Sequence, residues 1–175
     1  MIIISGPSTV GKNPFIYEVC NRYNNFEYVT PYTTREKRIE EVEGYDYFFL
    51  SKEEFHTKIK DKIFTEWDYC LDNYYGYASH FPGTKSQITH GLSRMALRIK
   101  EKHPSDVTTV FLMPLDLERI YYNLKQIYSG RALELRKALV EEEICHSVLF
   151  DNVFFCGDSI YSLFENHEIQ KLFNT

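Results

Sequence analysis

The chain opens Met1-Ile-Ile-Ile-Ser5 and runs directly into Gly6-Pro7-Ser8-Thr9-Val10-Gly11-Lys12. A β-branched apolar run without polar alternation is what a strand buried on both faces of a parallel sheet requires. The heptad satisfies G-x-x-x-x-G-K. Its glycines let backbone N–H groups close on phosphate oxygens, and its lysine reaches the β- and γ-phosphates. Phe15, Ile16, Val19 and Cys20 then recur at helical spacing, and a helix N-terminus adds a dipole that favours an anion. Strand, glycine loop and helix in that order open a P-loop fold. The next residue is ordinarily Ser or Thr, whose hydroxyl ligates Mg²⁺. Here it is Asn13, followed by Pro14. An Asn carbonyl is an oxygen donor on a longer arm, and a proline is tolerated in a first helical turn. Gly6 through Asn13 are therefore the candidate ATP-binding residues, with Lys12 catalytic and Asn13 the candidate Mg²⁺ ligand.

The rest of the composition narrows the class. The 175 residues make one domain, or one domain carrying a sub-domain. Hydrophobic residues are 43% and charged residues 26%, ordinary globular usage. A net charge of −5 is the wrong sign for a protein that coats DNA or RNA. No apolar run approaches the ~20 residues of a membrane span, and the N-terminus lacks the basic region of a signal peptide. Cys20, Cys70, Cys145 and Cys156 lie far apart, which suggests neither a disulfide framework nor a zinc site. A reduced, cytoplasmic protein is expected, monomeric or homodimeric. Aromatic residues reach 16%; an aromatic core explains them more simply than a Tyr-lined site. The histidines show no ligand spacing and read as bland.

Along the chain, Tyr28–Thr34 and Tyr47–Leu50 read as short strands, and Ser51–Asp61 as a Ser-capped helix. Met95–Ile99 and Val107–Met113 read as buried strands. Leu117–Tyr128 and Ala132–His146 read as helices, Asn152–Cys156 as a last strand and Ser159–Phe173 as a closing helix. Strands alternating with helices imply an α/β fold with a parallel sheet. The middle of the chain breaks the alternation and reads as an inserted lobe. The expected plan is a three-layer P-loop NTPase core at 1–30 and 92–175, an acceptor lobe at about 31–91 and a short lid at about 123–135.

Residues 33–47 read Thr-Thr-Arg35-Glu-Lys-Arg38-Ile-Glu-Glu41-Val-Glu-Gly44-Tyr-Asp-Tyr47. Two arginines three apart, with tyrosines, offer donors able to converge on one phosphate. A solvated loop pairing Arg35 and Arg38 with Glu36, Glu40 and Glu41 is the plainer reading of that stretch alone. Glu66, acceptor-only when ionised, can take the N1–H and N2–H donors of a guanine edge. The stretch resembles the TTRxxRxxExxGxxY signature of guanylate kinases. Phe64-Thr-Glu66-Trp67 and Asn73-Tyr-Tyr75-Gly76 resemble that family's F-x-E and YYG motifs. The loop at 6–12 is similar to its GPSGVGK, and Arg136 to Ile144 followed by Phe150-Asp151 resembles RLxxAxxEI…FD. The likeness runs in the family's order over about 5–156. It implies that Arg35, Arg38, Tyr47, Tyr75 and Glu66 hold the acceptor nucleoside monophosphate. It also implies that Arg136, and second to it Arg131, stabilise the transferring phosphoryl group.

Several positions depart from the pattern. Pro31 stands where the family has a base-reading Ser, Tyr77 follows YYG in place of Ser or Thr, and Cys156 replaces an Asn near the adenine. The family's L-D-I-D strand aligns with Leu97-Arg98-Ile99-Lys100, which would turn two carboxylates into two cations. The lid is lean, with Arg119 out of register. The expected function is transfer of the ATP γ-phosphoryl to a nucleoside monophosphate, GMP first. The alternatives are a kinase for a different or modified nucleotide, and a catalytically weak or dead module that binds phosphorylated partners. Nucleotides are the expected partners, with no nucleic acid and no membrane.

Overall fold

The computed structural model describes residues 1–78 and 85–174. The first strand, β1 (Ile2–Ser5), is buried along its whole length. Ile2 and Ile4 face one cluster of core residues and Ile3 the other, as the two-residue period of a strand requires. The glycine loop leads into α1 (Lys12–Arg22), which buries Phe15, Ile16 and Val19. Next come β2 (Phe26–Tyr28), β3 (Tyr32–Thr33), β4 (Phe48–Phe49) and α2 (Lys52–Lys60). Ser51 and Glu54 close a reciprocal capping box at the start of α2. They are followed by β5 (Phe64–Cys70), β6 (Asn73–Ala78), β7 (Ser86–His90), α3 (Ser93–Lys102) and β8 (Thr108–Pro114). The chain ends with α4 (Leu117–Ile127), α5 (Gly130–His146), β9 (Asn152–Cys156), a 3₁₀ segment at Ile160–Glu165 and α6 (His167–Phe173).

Two sheets result. The core sheet runs β2-β7-β1-β8-β9, all parallel. Parallel sheets need cover on both faces. On one face lie α1, α4 and α6, whose Phe15, Leu124 and Ile169 join Ile2, Ile4 and Val110. On the other lies α3, whose Met95, Ala96 and Ile99 meet Ile3 and Phe111. The smaller sheet runs β4-β3-β6-β5 and, with α2, forms the inserted lobe. The three-layer α/β plan expected from the sequence is the one observed.

Four expectations need correction. Tyr28–Thr34 is not one strand: Tyr28 ends β2 in the core sheet, and Tyr32 and Thr33 form β3 in the other sheet. Met95–Ile99 is not a strand: it lies in α3, and its buried positions Met95, Ala96 and Ile99 share one helical face. The strand beside β1 is β7, Ser-Gln-Ile-Thr-His, which has no apolar run to announce it. Its polar side chains are satisfied laterally, Thr89 Oγ1 on Val29 O at 2.7 Å and Gln87 Nε2 on Glu27 at 3.3 Å. Because β7 belongs to the core sheet, the lobe ends before residue 86 rather than at 91; residues 79–84 of that expected lobe lie outside the described residues. Residues 123–135, where the lid is expected, take in the end of α4, the turn at Tyr128 and Ser129 and the start of α5. The expected closing helix over Ser159–Phe173 is split at Asn166, which caps α6 by accepting from Glu168 N.

The loop after β1 is held in unusual backbone conformations. Gly6 has φ +145°, and a Cβ there would lie 2.6 Å from Leu112 O, so only glycine fits. Thr9 has φ +68°, a left-handed conformation at a β-branched residue, and its buried Oγ1 has no partner. A Cβ in that conformation costs roughly 1–2 kcal/mol, against ~0.5–1 kcal/mol of extra unfolded-state entropy for glycine. Thr9→Gly is therefore expected to raise the thermal midpoint by about 1–3 °C, read by calorimetric melting. A fall in the midpoint would show that Thr9 is not strained.

Candidate functional site

The C-terminal ends of β1 and β7, the glycine loop and the inserted lobe enclose a cavity of about 910 Å³. The loop side carries positive potential. Gly11 caps α1 in a left-handed conformation, no side chain caps the first turn, and no acidic residue stands in it. The helix dipole therefore favours an anion there. Lys12 Nζ folds back onto Gly6 O at 2.6 Å and Pro7 O at 2.9 Å. Burial lowers its pKa from 10.5 to about 8, partly opposed by the Glu143 carboxylate.

The lobe side carries the arginines and tyrosines. Thr33, buried at the end of β3, accepts from Arg35 N at 3.1 Å and donates to Tyr74 O at 3.0 Å, which fixes the loop that follows. Arg35 Nη2 pairs with Glu41 Oε1 at 2.6 Å, and Arg38 N donates to Glu41 Oε2 at 2.8 Å. Glu41 thus holds both arginines at the cavity wall instead of releasing them to solvent. The Tyr47 ring stands 6.4 Å from Tyr75 and 5.1 Å from His90, edge-on to the latter. Burial raises the Tyr47 hydroxyl pKa, so it stays a donor. Lys12, Asn13, Arg35, Arg38, Tyr47 and Tyr75 all line this one cavity.

Other expected residues fall elsewhere. Glu66 is 8% exposed and does not line the cavity. Its Oε1 accepts from Arg98 Nε at 2.9 Å and its Oε2 from Lys102 Nζ at 2.6 Å. Arg98 and Lys100 lie on α3, not on the strand beside β1. Arg98 also reaches Asp68, while Lys100 bonds Val107 O and Asp151. Neither stands at the end of a core strand, as the alignment with the family's L-D-I-D strand expects; the residue that ends β7, beside β1, is His90. Arg131 is exposed and lines neither cavity described here, whereas Arg136 lines the large one, its guanidinium 4.8 Å over the Tyr128 ring. Pro31 lines the cavity and holds β4 by accepting from Phe48 N at 2.9 Å.

Four residues of the site escape sequence reasoning. Asp46 Oδ1 accepts from Asn13 Nδ2 at 2.6 Å and Tyr17 Oη at 2.9 Å, tying α1 to the lobe. Tyr128 Oη accepts from Arg38 Nη2 at 2.7 Å, joining the lobe to the α4–α5 turn. Glu143, 4% exposed, accepts from Ser93 N and Oγ, both at 2.9 Å, while its Oε2 has no partner. His90 is buried with both ring nitrogens unpartnered, and burial beside Lys12 pushes its pKa down to about 3. It is a neutral wall of the site rather than a bland histidine. Asp46 and Glu143 lie inside the family-like stretches at 33–47 and 136–144, the one signal that could have singled them out.

A second cavity of about 480 Å³ opens on the other side of the glycine loop, lined by Gly11, Arg119, Cys156 and Tyr161 among others. Arg119 Nη1 bonds Asp158 Oδ1 at 2.9 Å along its edge. Cys156 is buried, and its thiol is pushed up to about 12. Among the described residues no cluster of three His, Cys, Asp or Glu could hold a metal by itself, and no helix is long and apolar enough to cross a membrane.

Comparison with known proteins agrees with this geometry. The guanylate kinase family model matches residues 1–155. The chain is 32% identical over 152 residues to a guanylate kinase of Mycoplasma pneumoniae, covering 82% of this chain and 62% of that one. It is 29% identical over 175 residues to a guanylate kinase of Rickettsia prowazekii, covering 97% and 89%. Its fold superposes on the crystal structure of guanylate kinase from Anaplasma phagocytophilum with a TM-score of 0.75 at 22% identity, covering 99% of this chain and 84% of that one. The chain spans about three-fifths of the Mycoplasma relative's length. A family match that begins at Met1, takes in the glycine loop and the arginine–tyrosine wall, and runs to Phe155 assigns this chain to the guanylate kinase family.

Proposed function

We propose that this chain transfers the γ-phosphoryl group of ATP to a nucleoside monophosphate, with GMP as the acceptor. One observation carries the reading: the glycine loop with Lys12 and the Arg35/Arg38/Tyr47/Tyr75 set face each other across a single cavity. Two anion sites of different origin, opposed in one cleft, suit a donor triphosphate and an acceptor phosphate. The glycine loop and the start of α1 cradle the triphosphate, and the adenine lies toward the second cavity by Arg119 and Cys156. Lys12 leaves the Gly6 and Pro7 carbonyls for the β/γ bridge. Arg35 and Arg38 turn from Glu41 to the acceptor phosphate, with the Tyr47 and Tyr75 hydroxyls as further donors. Arg136 neutralises charge on the group in flight. Such catalysis is positioning and electrostatic stabilisation, with no covalent intermediate.

The residues present fit a Mg²⁺ ion of the kind held jointly by protein oxygens and substrate phosphates. Asn13 Oδ1 and the Asp46 carboxylate would hold it, since the 2.6 Å bond between these side chains puts two oxygen-bearing groups beside the loop. When bound, the ion neutralises triphosphate charge. The names of the relatives favour this kinase reading over a phospho-ligand binding module.

A coupled assay with Mg-ATP across the ribo- and deoxyribonucleoside monophosphates is expected to show turnover on GMP above all others. No turnover on any acceptor, with folding intact by thermal melt, would favour the binding module instead. Arg38→Ala is expected to weaken GMP binding by about 1.5–3 kcal/mol, the scale of a charged hydrogen bond. Equal calorimetric affinity of both proteins would remove Arg38 from the site.

The displaced pKa of Lys12 makes a separate prediction. Between pH 8 and 10.5 the unfolded chain holds a proton that the folded one has lost, so unliganded stability rises with pH across that window. A bound triphosphate favours the charged lysine. ATP affinity is therefore expected to fall as pH rises above about 8, with proton uptake visible in buffers of different ionisation enthalpy. Lys12→Met should abolish both the slope and the uptake.

A further inference from the structure

Lobe and core meet at Asp46, one residue before Tyr47 of the acceptor wall. Its turn is closed on itself: Asp46 Oδ2 accepts from Val42 N at 2.8 Å, and Asp46 N donates to Val42 O at 3.0 Å. The core reaches this turn with two tyrosines. Tyr17 Oη, on α1, donates to Asp46 Oδ1 at 2.9 Å, and Tyr28 Oη, at the end of β2, donates to Asp46 O at 3.1 Å. The two rings pack edge to face at 5.7 Å. The Tyr17 ring also stacks on Tyr45 of the turn at 4.5 Å, and the Tyr28 ring on His90 of β7 at 6.0 Å. Two hydroxyls from two core elements thus converge on the carboxylate and the carbonyl of one lobe residue.

What this contact controls follows from its neighbours along the chain. Tyr17 stands one helical turn beyond Asn13, the residue after Lys12, and both side chains meet Asp46 Oδ1. The first turns of α1 are therefore joined directly to the loop that presents Tyr47. Arg35, Arg38, Tyr47 and Tyr75 all belong to the lobe, whereas the glycine loop and Lys12 belong to the core. The distance between the two phosphate sites is thus the distance of the lobe from the core. Transfer between bound groups needs reacting atoms about 3–3.5 Å apart, and a misplacement of about 1 Å costs roughly a hundredfold in rate. Burial, and for Tyr17 the Asp46 carboxylate as well, keeps both hydroxyls protonated and so able to donate.

We propose that Tyr17 and Tyr28 are positioning residues, which through Asp46 hold the lobe at the spacing from the glycine loop that phosphoryl transfer requires. The proposal rests on the kinase reading above and names what aligns its two substrates. Both hydroxyls are engaged by Asp46, so neither is a donor to a phosphate, and neither adds to the affinity of one nucleotide alone. Their effect is felt when one ligand spans both sites, because a lobe free to drift must then be brought back into place.

The probe is a dinucleotide in which adenosine and guanosine are joined through five phosphates, so that one molecule fills both sites. Its gain over ATP and GMP measured separately reports the spacing of the sites as an effective concentration. Calorimetry without divalent cations keeps any metal contact of Asp46 out of the comparison. Wild type is expected to bind the dinucleotide roughly a hundredfold tighter than either nucleotide, or more. Tyr17→Phe and Tyr28→Phe keep both rings and remove only the hydroxyls. Each should lower dinucleotide affinity about threefold to tenfold, the scale of one hydrogen bond, and leave ATP and GMP within about twofold of wild type. The double variant should lose more than either single one. Turnover with Mg-ATP and GMP should fall by a similar factor at unchanged KM. Dinucleotide affinity unchanged in the double variant overturns the proposal. So does a loss matched by an equal loss for one nucleotide alone, which would place the tyrosine at a single site. A gain in dinucleotide affinity or turnover overturns it too, since the contact would then be one that must open before reaction. If the double variant does not fold, the single variants decide by the same criteria. Wild type that binds ATP and GMP but gains nothing from their linkage overturns this proposal alone; wild type that binds neither overturns the kinase reading and this proposal with it.

Discussion

Everything at the site hangs on β1. It is hydrogen-bonded on both sides, to β7 and β8, in parallel register. Its isoleucines are buried on both faces of the sheet. A strand so enclosed cannot shift, because a one-residue slip would exchange the side chains of its two faces. Its C-terminal end is therefore a fixed point, from which the glycine loop starts and beside which β7 delivers His90. The parallel arrangement brings both strand ends to the same edge of the sheet, where ligands bind in open α/β folds.

The second constraint joins lobe to core. The Asp46 carboxylate takes donors from Asn13 and Tyr17 on α1 and from Val42 N in its own loop, while its carbonyl takes Tyr28 Oη at 3.1 Å. One acidic residue thus sets the lobe's position against the glycine loop. Asn13, in place of the usual hydroxyl residue, makes this contact through its amide N–H. On the far side, Tyr128 joins Arg38 of the lobe to the helix that carries Arg136. The cleft is spanned at both ends by hydrogen bonds or ring contacts.

The cations of α3 illustrate how charge can be misread from a linear motif. Arg94, Arg98 and Lys102 recur every four residues and share one helical face. That face lies against β5, where Glu66 and Asp68 point toward it. The cluster locks α3 to the lobe and consumes the one carboxylate that the family resemblance assigns to the base.

The residues by themselves determined the strand–loop–helix opening, the Ser cap of α2 and the placement of β8 and β9, while the arginines and tyrosines of the lobe stood out only through the family resemblance. These are local signals: an apolar run, a glycine spacing, a Ser and a Glu three apart. They survive folding because backbone geometry and side-chain reach act over a few residues. Tertiary structure alone decided the rest. β7 is a central strand with a polar sequence, made possible because Gln87 and Thr89 find partners on β2 and in the chain just beyond it. Met95–Ile99 could pass for a strand until α3 showed which residues share a face. Asp46 and Glu143 came to line the cavity, and Glu66 came to be held by α3, through pairings between residues more than thirty positions apart. No local rule of periodicity or propensity carries that information, because which charge meets which is settled only when the two sheets close on each other.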